Sequence, residues 1–304
     1  MLERRGIIVY FNPAELPLLK ETVHGGPPGF WEMQPEKGIS DDHGAMSSPA
    51  GAVKCMDGRL PEFLGVGVQK GGTTTLQAML QEHPGVFLPP AKELHFFSLH
   101  YGEGEEWYRQ QFAAMQPGQR CGEITPYYLF HPEAPARIQR LLPAVRLIVL
   151  LRDPVERCLS GLFHSRRLGL EPLQVEEALK AEAGRLEGAE AVLAAVDGSH
   201  LSHQVHSYLS RSRYEQQLMR YEQLFPREQL LLLRSEDLFQ NPEGSWQQVL
   251  AFLELAECAL PRGVGRLNAG AGEAEHLDPA LVQMLRQQLN PTYEAMERQY
   301  GLQW

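Results

Sequence analysis

The chain alternates short apolar runs with longer segments in which apolar residues recur every third or fourth position. Residues 63–68 read FLGVGV, and the segment after them places Leu76, Met79 and Leu80 at helical spacing. Residues 145–154 contain the most strand-like run of the chain, which is apolar on both faces. Strands of this kind are typical of a parallel sheet that helices cover on both sides. The pattern therefore predicts alternating strands and helices, with the run at 145–154 central in the sheet.

The remaining elements follow in the same manner along the chain. We predict strands within 85–90, 121–125 and 229–238, helices within 105–115, 133–143, 154–169, 204–224, 244–255 and 279–300, and a glycine-rich loop at 263–272. This succession indicates a three-layer, P-loop-like α/β domain in which helices flank a mainly parallel central sheet. A polar insert rich in Ala and Glu covers residues 169–203, and we expect it to form a flap or a helical excursion near the site.

Residues 1–60 differ from the rest of the chain. They are rich in Gly, Pro, Ser and Met and lack periodicity, apart from one short strand pattern at residues 7–11. Such a composition is typical of an extended or weakly ordered arm or linker. We therefore predict one folded domain at 61–304 preceded by a weakly ordered segment. The alternative that the chain is a module of a multidomain synthase stays open.

Composition and charge narrow the functional classes. Of the 304 residues, 43% are hydrophobic and 22% are charged, which is ordinary for a globular protein with a core. The net charge of −10 argues against a protein that binds nucleic acid by counterion release. No run approaches the roughly 18–20 apolar residues that span a bilayer, and the N-terminus lacks a signal-peptide pattern. Four cysteines without a C-x-x-C pair predict neither a zinc site nor a disulfide framework, so we expect a reducing, cytoplasmic setting.

The first candidate site is the turn after the strand at 63–68. It consists of Lys70, Gly71, Gly72, Thr73, Thr74 and Thr75. The order differs from the usual nucleotide-binding loop, G-x-x-x-x-G-K-[ST], because the lysine precedes the glycines. The N–H groups at a helix N-terminus lack intrahelical acceptors and favour anions, and Lys70 adds a positive charge. The turn therefore predicts a site for a phosphate-like anion; the alternative is an ordinary strand-to-helix turn with a solvated lysine.

A second strand-to-helix turn carries Arg152 at the carboxyl end of the strand within 145–154, with Ser160 eight residues later. Open α/β sheets bind their ligands at the carboxyl ends of the strands. A guanidinium and a hydroxyl suit a second phosphate group, although R-D-P also occurs in plain turns. Taken with the first turn, the pattern predicts a ligand with two separate anionic groups.

Glu93 and His95 form the third candidate site, in the segment that follows the first helix. They alternate with Leu94, so both side chains are expected on one face of a short extended segment. A carboxylate held beside an acceptor hydroxyl acts as a general base. The alternative interpretation is a pair of solvated surface residues.

Four motifs in this order resemble the family of PAPS-dependent sulfotransferases. They read KGGTTTL at 70–76, KELHFF at 92–97, GEITPYY at 122–128 and LRDPVERCLS at 151–160. The likeness is to the branch that contains heparan sulfate sulfotransferases and related bacterial and polyketide-associated enzymes. It continues through residues 212–242 and the terminal YGLQW, so it covers about residues 62–304.

The resemblance implies which residues bind the donor, PAPS (3′-phosphoadenosine 5′-phosphosulfate). Lys70 and the residues through Thr75 would hold its 5′-phosphosulfate. Arg152 and Ser160 would bind its 3′-phosphate. The product nucleotide would be PAP, and the resemblance implies no metal.

The resemblance also implies catalytic roles for three residues. Lys70 would contact the sulfuryl group during transfer. Glu93 would be the general base that takes the acceptor proton, with His95 beside it to position it.

The chain departs from glycan-sulfating relatives at two places. Those enzymes tend to carry a sugar-contacting lysine where this chain has Ile124, and a Lys-Gly nucleotide loop where residues 267–279 contain no lysine. The first departure and the net acidity predict a small, lipid-like or carrier-protein-tethered hydroxyl acceptor rather than a polyanionic glycan. The alternatives are a glycan O- or N-sulfotransferase, a P-loop kinase that uses ATP, and a catalytically silent nucleotide-binding module.

Other side chains near these motifs carry weaker predictions. Five aromatic residues would either line an acceptor pocket or belong to the core: Phe96, Phe97, Tyr127, Tyr128 and Phe130. We interpret His164, Arg166 and Arg167 as a solvated helix face; the alternative is that they reach the nucleotide. We interpret His203 and His206 as surface residues. The resemblance places Tyr214 near the cofactor.

Overall fold

The computed structural model describes residues 58–261 and 277–304, together with the backbone of two short strands, β1 (Leu2–Arg4) and β2 (Ile7–Val9). These two strands form an antiparallel pair, in agreement with the strand pattern near residue 7. Most of the N-terminal segment and the glycine-rich loop expected at 263–272 lie outside the described residues. The domain boundary after residue 60 therefore stays a prediction.

A five-stranded parallel sheet forms the centre of the domain. Its strands are β3 (Phe63–Gly67), β4 (Val86–Phe87), β5 (Arg120–Ile124), β6 (Arg146–Leu151) and β7 (Leu230–Arg234). They lie in the order β4-β5-β3-β6-β7, and each neighbouring pair is parallel. The predicted α/β architecture is therefore confirmed. The run at 145–154 gives the interior strand β6, while β3 occupies the middle position.

Helices cover both faces of this sheet. In chain order they are α1 (Thr73–Gln81), α2 (Gly104–Gln110), α3 (Ala134–Leu141), α4 (Pro154–Arg167), α5 (Val175–Arg185), α6 (Ala189–Leu193), α7 (Leu201–Val205), α8 (Tyr214–Glu222), α9 (Ser235–Gln240), α10 (Pro242–Phe252), α11 (Pro279–Gln288) and α12 (Asn290–Tyr300).

Burial on both faces explains why the central strands are apolar throughout. Phe63, Ile148 and Leu150 point to one face, where they pack in a cluster with α1 and α10. Leu64 and Val149 point to the other face, where they pack with α8 and α12. All five side chains are at most 1% exposed. Each large apolar side chain buried in this way stabilises the fold by roughly 1.5–3 kcal/mol before the entropy cost of folding.

The prediction of one long helix at 204–224 is wrong. The structure has α7, a 3-10 turn at Ser210–Ser212, and α8 in its place. Buried side chains bond the main chain between the two helices: Arg157 donates to the carbonyl of Tyr208, and Glu182 accepts two main-chain N–H groups. Because these backbone groups are bonded to side chains, they do not continue the helix.

The prediction of one final helix over 279–300 is also wrong. The structure divides it at Leu289 into α11 and α12. Pro291 follows the break. A proline inside a helix removes one hydrogen bond and clashes with the carbonyl four residues before it, so the chain turns instead.

The insert at 169–203 is helical and packs on the domain through α5 and α6. Ala178 and Leu193 are fully buried, at 0% exposure. Arg137 of α3 donates to the carbonyl of Ala195 at 3.0 Å. Of the two expectations for this insert, the structure therefore has the helical excursion.

Glu182 of α5 provides a test of this packing. Its carboxylate is 3% exposed and accepts the N–H groups of Leu209 and Ser210, each at 2.8 Å. Alanine would leave these donors without an acceptor, so we expect Glu182→Ala to lower the free energy of unfolding by about 2–3 kcal/mol in urea denaturation. The matched control is Glu187→Ala, an exposed position on the same insert, which should change it by less than about 0.5 kcal/mol. Equal stability of the two variants would contradict the packing role.

Candidate active site

Two strand-to-helix turns lie side by side at the carboxyl edge of the sheet. β3 and β6 are adjacent and parallel, and the N–H of Val68 donates to the carbonyl of Leu150 at 2.8 Å where the strands end. The turn after β3 carries Lys70, and the turn after β6 carries Arg152. The structure therefore brings the two predicted anion sites to one edge, on neighbouring strands.

The first turn depends on a left-handed backbone. Gly72 has a φ of 95° and Lys70 a φ of 72°, a conformation that glycine adopts readily and that strains other residues. Gly71 packs so closely against β6 that a Cβ atom there would lie 2.5 Å from the carbonyl oxygen of Leu150. Both glycines are therefore required for the chain to turn beside β6.

Helix α1 begins directly after this turn, with its first N–H groups at the carboxyl edge. The first N–H groups of a helix have no intrahelical acceptor. Thr75 closes a bond to the carbonyl of Gly72 at 3.0 Å, and within the described ranges no main-chain acceptor takes the N–H groups of Gly72, Thr73 or Thr74. The hydroxyl of Thr74 accepts from Nζ of Lys92 at 3.2 Å. This helix start therefore offers main-chain donors to an anion.

At the second turn, the guanidinium of Arg152 lies against Glu156 of α4. Nη2 and Nε donate to Oε2 of Glu156 at 2.8 and 3.1 Å. The side chain of Arg152 is 17% exposed and that of Glu156 is 58% exposed, so an incoming ligand can reach the pair. Ser160 lies further along the same helix and is half-buried. An anion that binds the guanidinium of Arg152 therefore competes with the carboxylate of Glu156.

Side chains from distant segments hold the main chain of the second turn. Glu236 of α9 accepts the N–H of Asp153 at 3.0 Å and the indole N–H of Trp304 at 2.8 Å. Tyr214 donates to the carbonyl of Arg152 at 2.8 Å. Of these residues only Tyr214 carries a prediction from the sequence, because Glu236 and Trp304 reach the turn through tertiary contacts that no local pattern shows.

Glu93 and His95 lie together, but not through the extended segment that their alternation predicts, because His95 has a φ of 54°. Nε2 of His95 lies 3.2 Å from Oε2 of Glu93, and Nδ1 of His95 lies 3.1 Å from the hydroxyl of Ser98. Burial acts to raise the pKa of Glu93, but the hydrogen bond with His95 and the surrounding positive charges outweigh it and hold this pKa below its ordinary value. The carboxylate is therefore ionised at neutral pH, and 30% of the side chain is exposed.

A buried carboxylate supports the segment that carries this pair. Glu123, at the end of β5, is 3% exposed. It accepts the hydroxyls of Tyr108, Tyr128 and Thr125 at 2.7, 2.8 and 2.7 Å. Thr125 in turn accepts the N–H of His95 at 3.4 Å. Burial raises the pKa of Glu123, although the three hydroxyls act to lower it. The G-E-I-T-P-Y-Y motif contains Glu123, but the sequence alone does not reveal this supporting contact.

The site also contains a buried cation that the sequence analysis did not identify. Arg211, in the Ser210–Ser212 turn, is 2% exposed. Its Nη1 donates to the side-chain carbonyl of Gln69, next to Lys70, at 2.6 Å. The local sequence pattern does not distinguish Arg211. Residues 204–224 have the apolar periodicity of a helix, in which Arg211 would be one ordinary position along its length.

The prediction of His203 and His206 as surface residues is wrong. They are 5% and 8% exposed. Nδ1 of His203 lies 2.7 Å from the hydroxyl of Tyr127, and Nε2 of His206 lies 2.9 Å from the carbonyl of Leu170. The insert and the Tyr127 segment cover these rings, and neither contact is visible in the local sequence pattern.

His164 faces the site, unlike the solvated helix face that we predicted. Burial and the positive charges of Lys70 and Arg167 lower its pKa to about 4, while Glu93 acts to raise it. Lys70 and Glu93 are thus electrostatic neighbours of the same imidazole. Arg167 is exposed and Arg166 partly buried, so the predicted solvated face holds for Arg167.

The aromatic residues near the motifs are buried, as the core interpretation expects. Their exposure lies between 0% and 7% for Phe96, Phe97, Tyr127, Tyr128 and Phe130. Phe96 stacks on Tyr108 with ring centroids 4.1 Å apart. Tyr127 and Phe130 pack around Arg211, at 5.2 and 4.9 Å from its guanidinium carbon. These rings therefore belong to the packed interior around the site.

No group of three or more His, Cys, Asp or Glu side chains in the described ranges is arranged to hold a metal ion. Among the helices that the structure describes, none combines the length and the apolar character needed to cross a membrane.

Comparison with known proteins gives a family match. A family model described as sulfotransferase domain matches residues 60–262, more than half of the chain. A membrane-associated sulfotransferase of Dictyostelium discoideum, kil1, is 39% identical over 109 residues, which cover 35% of this chain and 23% of that protein. Human heparan sulfate glucosamine 3-O-sulfotransferase 3B1 is 32% identical over 200 residues, which cover 65% of this chain and 47% of that protein. The chain thus spans less than half the length of these relatives.

A solved structure agrees with the family match. A sulfotransferase from Alicyclobacillus acidocaldarius is similar over 81% of this chain and 98% of that chain, with a TM-score of 0.69 and 25% sequence identity. The sheet and helices described above therefore follow a fold that a solved sulfotransferase also has.

His203 predicts a pH dependence of stability. Burial and the charge of Arg211 lower the pKa of His203 to about 2. The unfolded chain takes up a proton near pH 6.5 that the folded protein does not, so this contribution to stability is present above that pH and is lost as the pH falls. We expect His203→Gln to reduce the slope of unfolding free energy against pH by about 1 kcal/mol per pH unit between pH 6 and pH 5, measured by urea denaturation.

Tyr127→Phe is the matched control for this experiment. It removes the hydrogen bond to His203 but keeps the buried imidazole, so its slope should equal that of the wild type. If His203→Gln keeps the wild-type slope, the imidazole gains its proton equally well in the folded protein, and the burial argument fails.

Proposed function

Because the chain belongs to the sulfotransferase domain family, we propose that it transfers a sulfuryl group from PAPS to an acceptor hydroxyl. The observation that carries this proposal is the meeting of three features at one edge of the sheet. The turns at Lys70 and Arg152 end neighbouring strands, and the charges of Lys70 and Glu93 both act on the imidazole of His164.

The two turns suit a donor with an anionic group at each end. The main-chain N–H groups at the start of α1 lack main-chain acceptors within the described ranges, and with Lys70 they would hold the 5′-phosphosulfate. Arg152 and Ser160 would hold the 3′-phosphate, to which a guanidinium offers paired donors. When bound, PAPS supplies the sulfuryl group. The adjacency of β3 and β6 supports this division, because one nucleotide has to reach both turns.

The remaining residues suit in-line transfer. Glu93 would accept the proton of the acceptor hydroxyl, and its lowered pKa keeps it in the ionised form that a base requires. His95, 3.2 Å away, would fix the orientation of the carboxylate. Lys70 and the start of α1 would stabilise the negative charge that develops on the departing phosphate. Positioning and electrostatic stabilisation then provide most of the rate, as in phosphoryl transfer.

We propose a small, lipid-like or carrier-tethered hydroxyl as the acceptor. Ile124 supports this proposal, because glycan-sulfating enzymes of the branch that this chain resembles tend to carry a lysine there. Ile124 is 3% exposed and packs against Gly65, so it offers an acceptor no charge. The net charge of −10 also acts against a polyanion. A carrier-tethered acceptor would fit a chain that works as a module of a multidomain synthase.

A glycan hydroxyl is the second candidate acceptor. The relative that favours it is human heparan sulfate glucosamine 3-O-sulfotransferase 3B1, whose name gives both the glycan and the position that it sulfates. Its match covers 65% of this chain. The two acceptor classes differ strongly in charge, so a direct assay separates them.

The function is tested by offering radiolabelled PAPS with two sets of acceptors. One set contains neutral hydroxyl compounds, free and attached to a carrier protein; the other contains heparan sulfate oligosaccharides. We expect label and a sulfate mass increase on the first set, and Glu93→Gln should bind PAP but transfer nothing. Label on the second set alone would overturn the acceptor assignment. PAP binding without transfer to any acceptor would support a silent nucleotide-binding module, and turnover of ATP with Mg²⁺ would support a kinase.

Lys70→Ala tests the first turn. Removal of one group that stabilises transition-state charge should lower kcat by about 10²- to 10³-fold at saturating PAPS, measured as initial rates. Lys180→Ala removes the same charge from an exposed position, 77% accessible, on α5 and should leave kcat unchanged. A normal kcat for Lys70→Ala would contradict the assigned role.

Arg152→Ala tests the second turn. Loss of a charge-assisted bond to the 3′-phosphate should weaken PAP binding by at least about tenfold in isothermal titration calorimetry. Adenosine 5′-phosphosulfate, which lacks the 3′-phosphate, is the control ligand, and its affinity should be the same for wild type and variant. An unchanged PAP affinity, or an equal loss for both ligands, would remove Arg152 from the 3′-phosphate site.

A further inference from the structure

Arg211 is a buried cation that the reaction described above does not use. Burial lowers its pKa to about 10, so the guanidinium is charged at neutral pH. Its hydrogen-bond acceptors among the described residues are the side chain of Gln69 and the carbonyls of His203 and Gln204, at 2.6, 2.7 and 3.0 Å. None of these is a carboxylate, and Nε has no hydrogen-bond partner in the described part of the chain. A buried charge without a bonded counter-ion costs desolvation free energy, so the presence of Arg211 here requires an explanation.

Aromatic packing offsets only part of this cost. The guanidinium carbon lies 5.2 Å from the ring centroid of Tyr127 and 4.9 Å from that of Phe130. Cation–π contacts are worth roughly 0.5–2 kcal/mol each, whereas desolvation of an ion costs several kcal/mol. Packing alone therefore does not account for an arginine at this position.

Two further buried charges bond the residues on either side of Arg211. Glu182 of the insert accepts the N–H of Ser210 at 2.8 Å. Arg157 of α4 donates to the hydroxyl of Ser212 at 2.7 Å. Glu182 is 3% exposed and Arg157 is 0% exposed. The insert and the helix that follows the second turn thus fix the position of the guanidinium.

From this position Arg211 acts on two parts of the site. It holds Gln69, which precedes Lys70 in the first turn. Its charge also acts on the carboxylate of Glu93. The other charged or titratable groups that face Glu93 are Lys92 and His95 of its own segment and His164 of α4. Those that face Arg211 are Tyr127, Arg157, Glu93, Glu182 and His203.

We propose that Arg211 is a positioning residue for sulfuryl transfer, which holds the first turn through Gln69 and stabilises the Glu93 carboxylate through its fixed charge. It acts through these two residues and, being 2% exposed, touches neither donor nor acceptor. The reaction that it serves is the proposed one, so this inference rests on that function. The charge of Arg211 affects the base Glu93, whereas its hydrogen bond affects the turn, so the two effects can be measured separately.

A pH profile separates the charge from the packing. Arg211→Gln keeps hydrogen-bond donors but removes the charge, so Glu93 takes up a proton at higher pH and base activity is lost sooner as the pH falls. We expect the acid limb of kcat/KM for this variant to lie at higher pH than that of the wild type, so the ratio of variant to wild-type kcat/KM falls as the pH is lowered from 8 to 5. Arg211→Lys keeps the charge, so its acid limb should lie at the wild-type pH. Gln69→Ala should raise KM for PAPS equally at all these pH values.

Two outcomes of the profile overturn the proposed action of Arg211 on Glu93. The first is that Arg211→Gln loses activity by the same factor at every pH, as loss of the Gln69 contact alone would produce. The second is that Arg211→Lys has the same pH profile as Arg211→Gln, because the charge would then make no difference.

A second measurement does not require turnover. Carbon-13 NMR of labelled glutamate carboxyls, with Glu93→Gln assigning the resonance, reports the titration of Glu93 directly. Arg211→Gln should move this titration to higher pH. The matched control is Arg220→Gln, which removes a guanidinium that is 33% exposed and pairs with Glu190 at 2.8 Å; it should leave the titration of Glu93 as in the wild type. Arg211→Met is a second neutral variant should the glutamine variant fail to fold.

The NMR result distinguishes this inference from the proposed function. An unshifted titration in a folded neutral variant overturns the role of Arg211 even if the wild type transfers sulfate. A shifted titration in a protein that transfers no sulfate supports the contact between charge and carboxylate and refutes the proposed function instead.

Discussion

The pairing of β3 with β6 is the constraint on which the site depends. These strands run parallel, and the bond from the N–H of Val68 to the carbonyl of Leu150 extends their pairing to the point where both turn into helices. Gly71 then lies so close to Leu150 that no side chain fits between the turn and the strand. Because the two strands end together, Lys70 and Arg152 come to one edge. Any change that separates these strand ends also separates the two candidate anion sites.

Buried polar groups transmit this geometry to the rest of the site. Glu123 receives three hydroxyls and, through Thr125, supports the main chain of His95. Glu236 supports the second turn in the same way, since it accepts the N–H of Asp153. Glu123 satisfies donors that would otherwise be buried without an acceptor, which costs about 1–3 kcal/mol per group. Glu123 and the half-buried Glu236 thus lie one contact away from the residues of the candidate site.

The parts of this structure that sequence predicts are those with a local cause. Apolar runs with burial on both faces give the strands, and the glycines after β3 give the first turn. Alternation does not explain the pairing of Glu93 with His95, because His95 has a φ of 54° and the segment is not extended there. The residues that sequence missed act at a distance: Glu236, Arg211 and the buried ring of His203 reach the site only through the tertiary fold. The false prediction of a helix over 204–224 has the same origin, because buried side chains from other segments bond its main chain.

The insert at 169–203 belongs to the site although its helices carry none of the residues assigned to ligand binding. Glu182 holds the main chain before Arg211, Arg211 holds Gln69, and Gln69 leads into the Lys70 turn. The two noncovalent links in this series are hydrogen bonds of 2.8 and 2.6 Å, and their charged members are at most 3% exposed. Close-packed interiors transmit strain, so a change in the insert reaches the first turn through these contacts. Sequence changes in the insert can therefore alter the candidate anion site at Lys70 while its own residues stay the same.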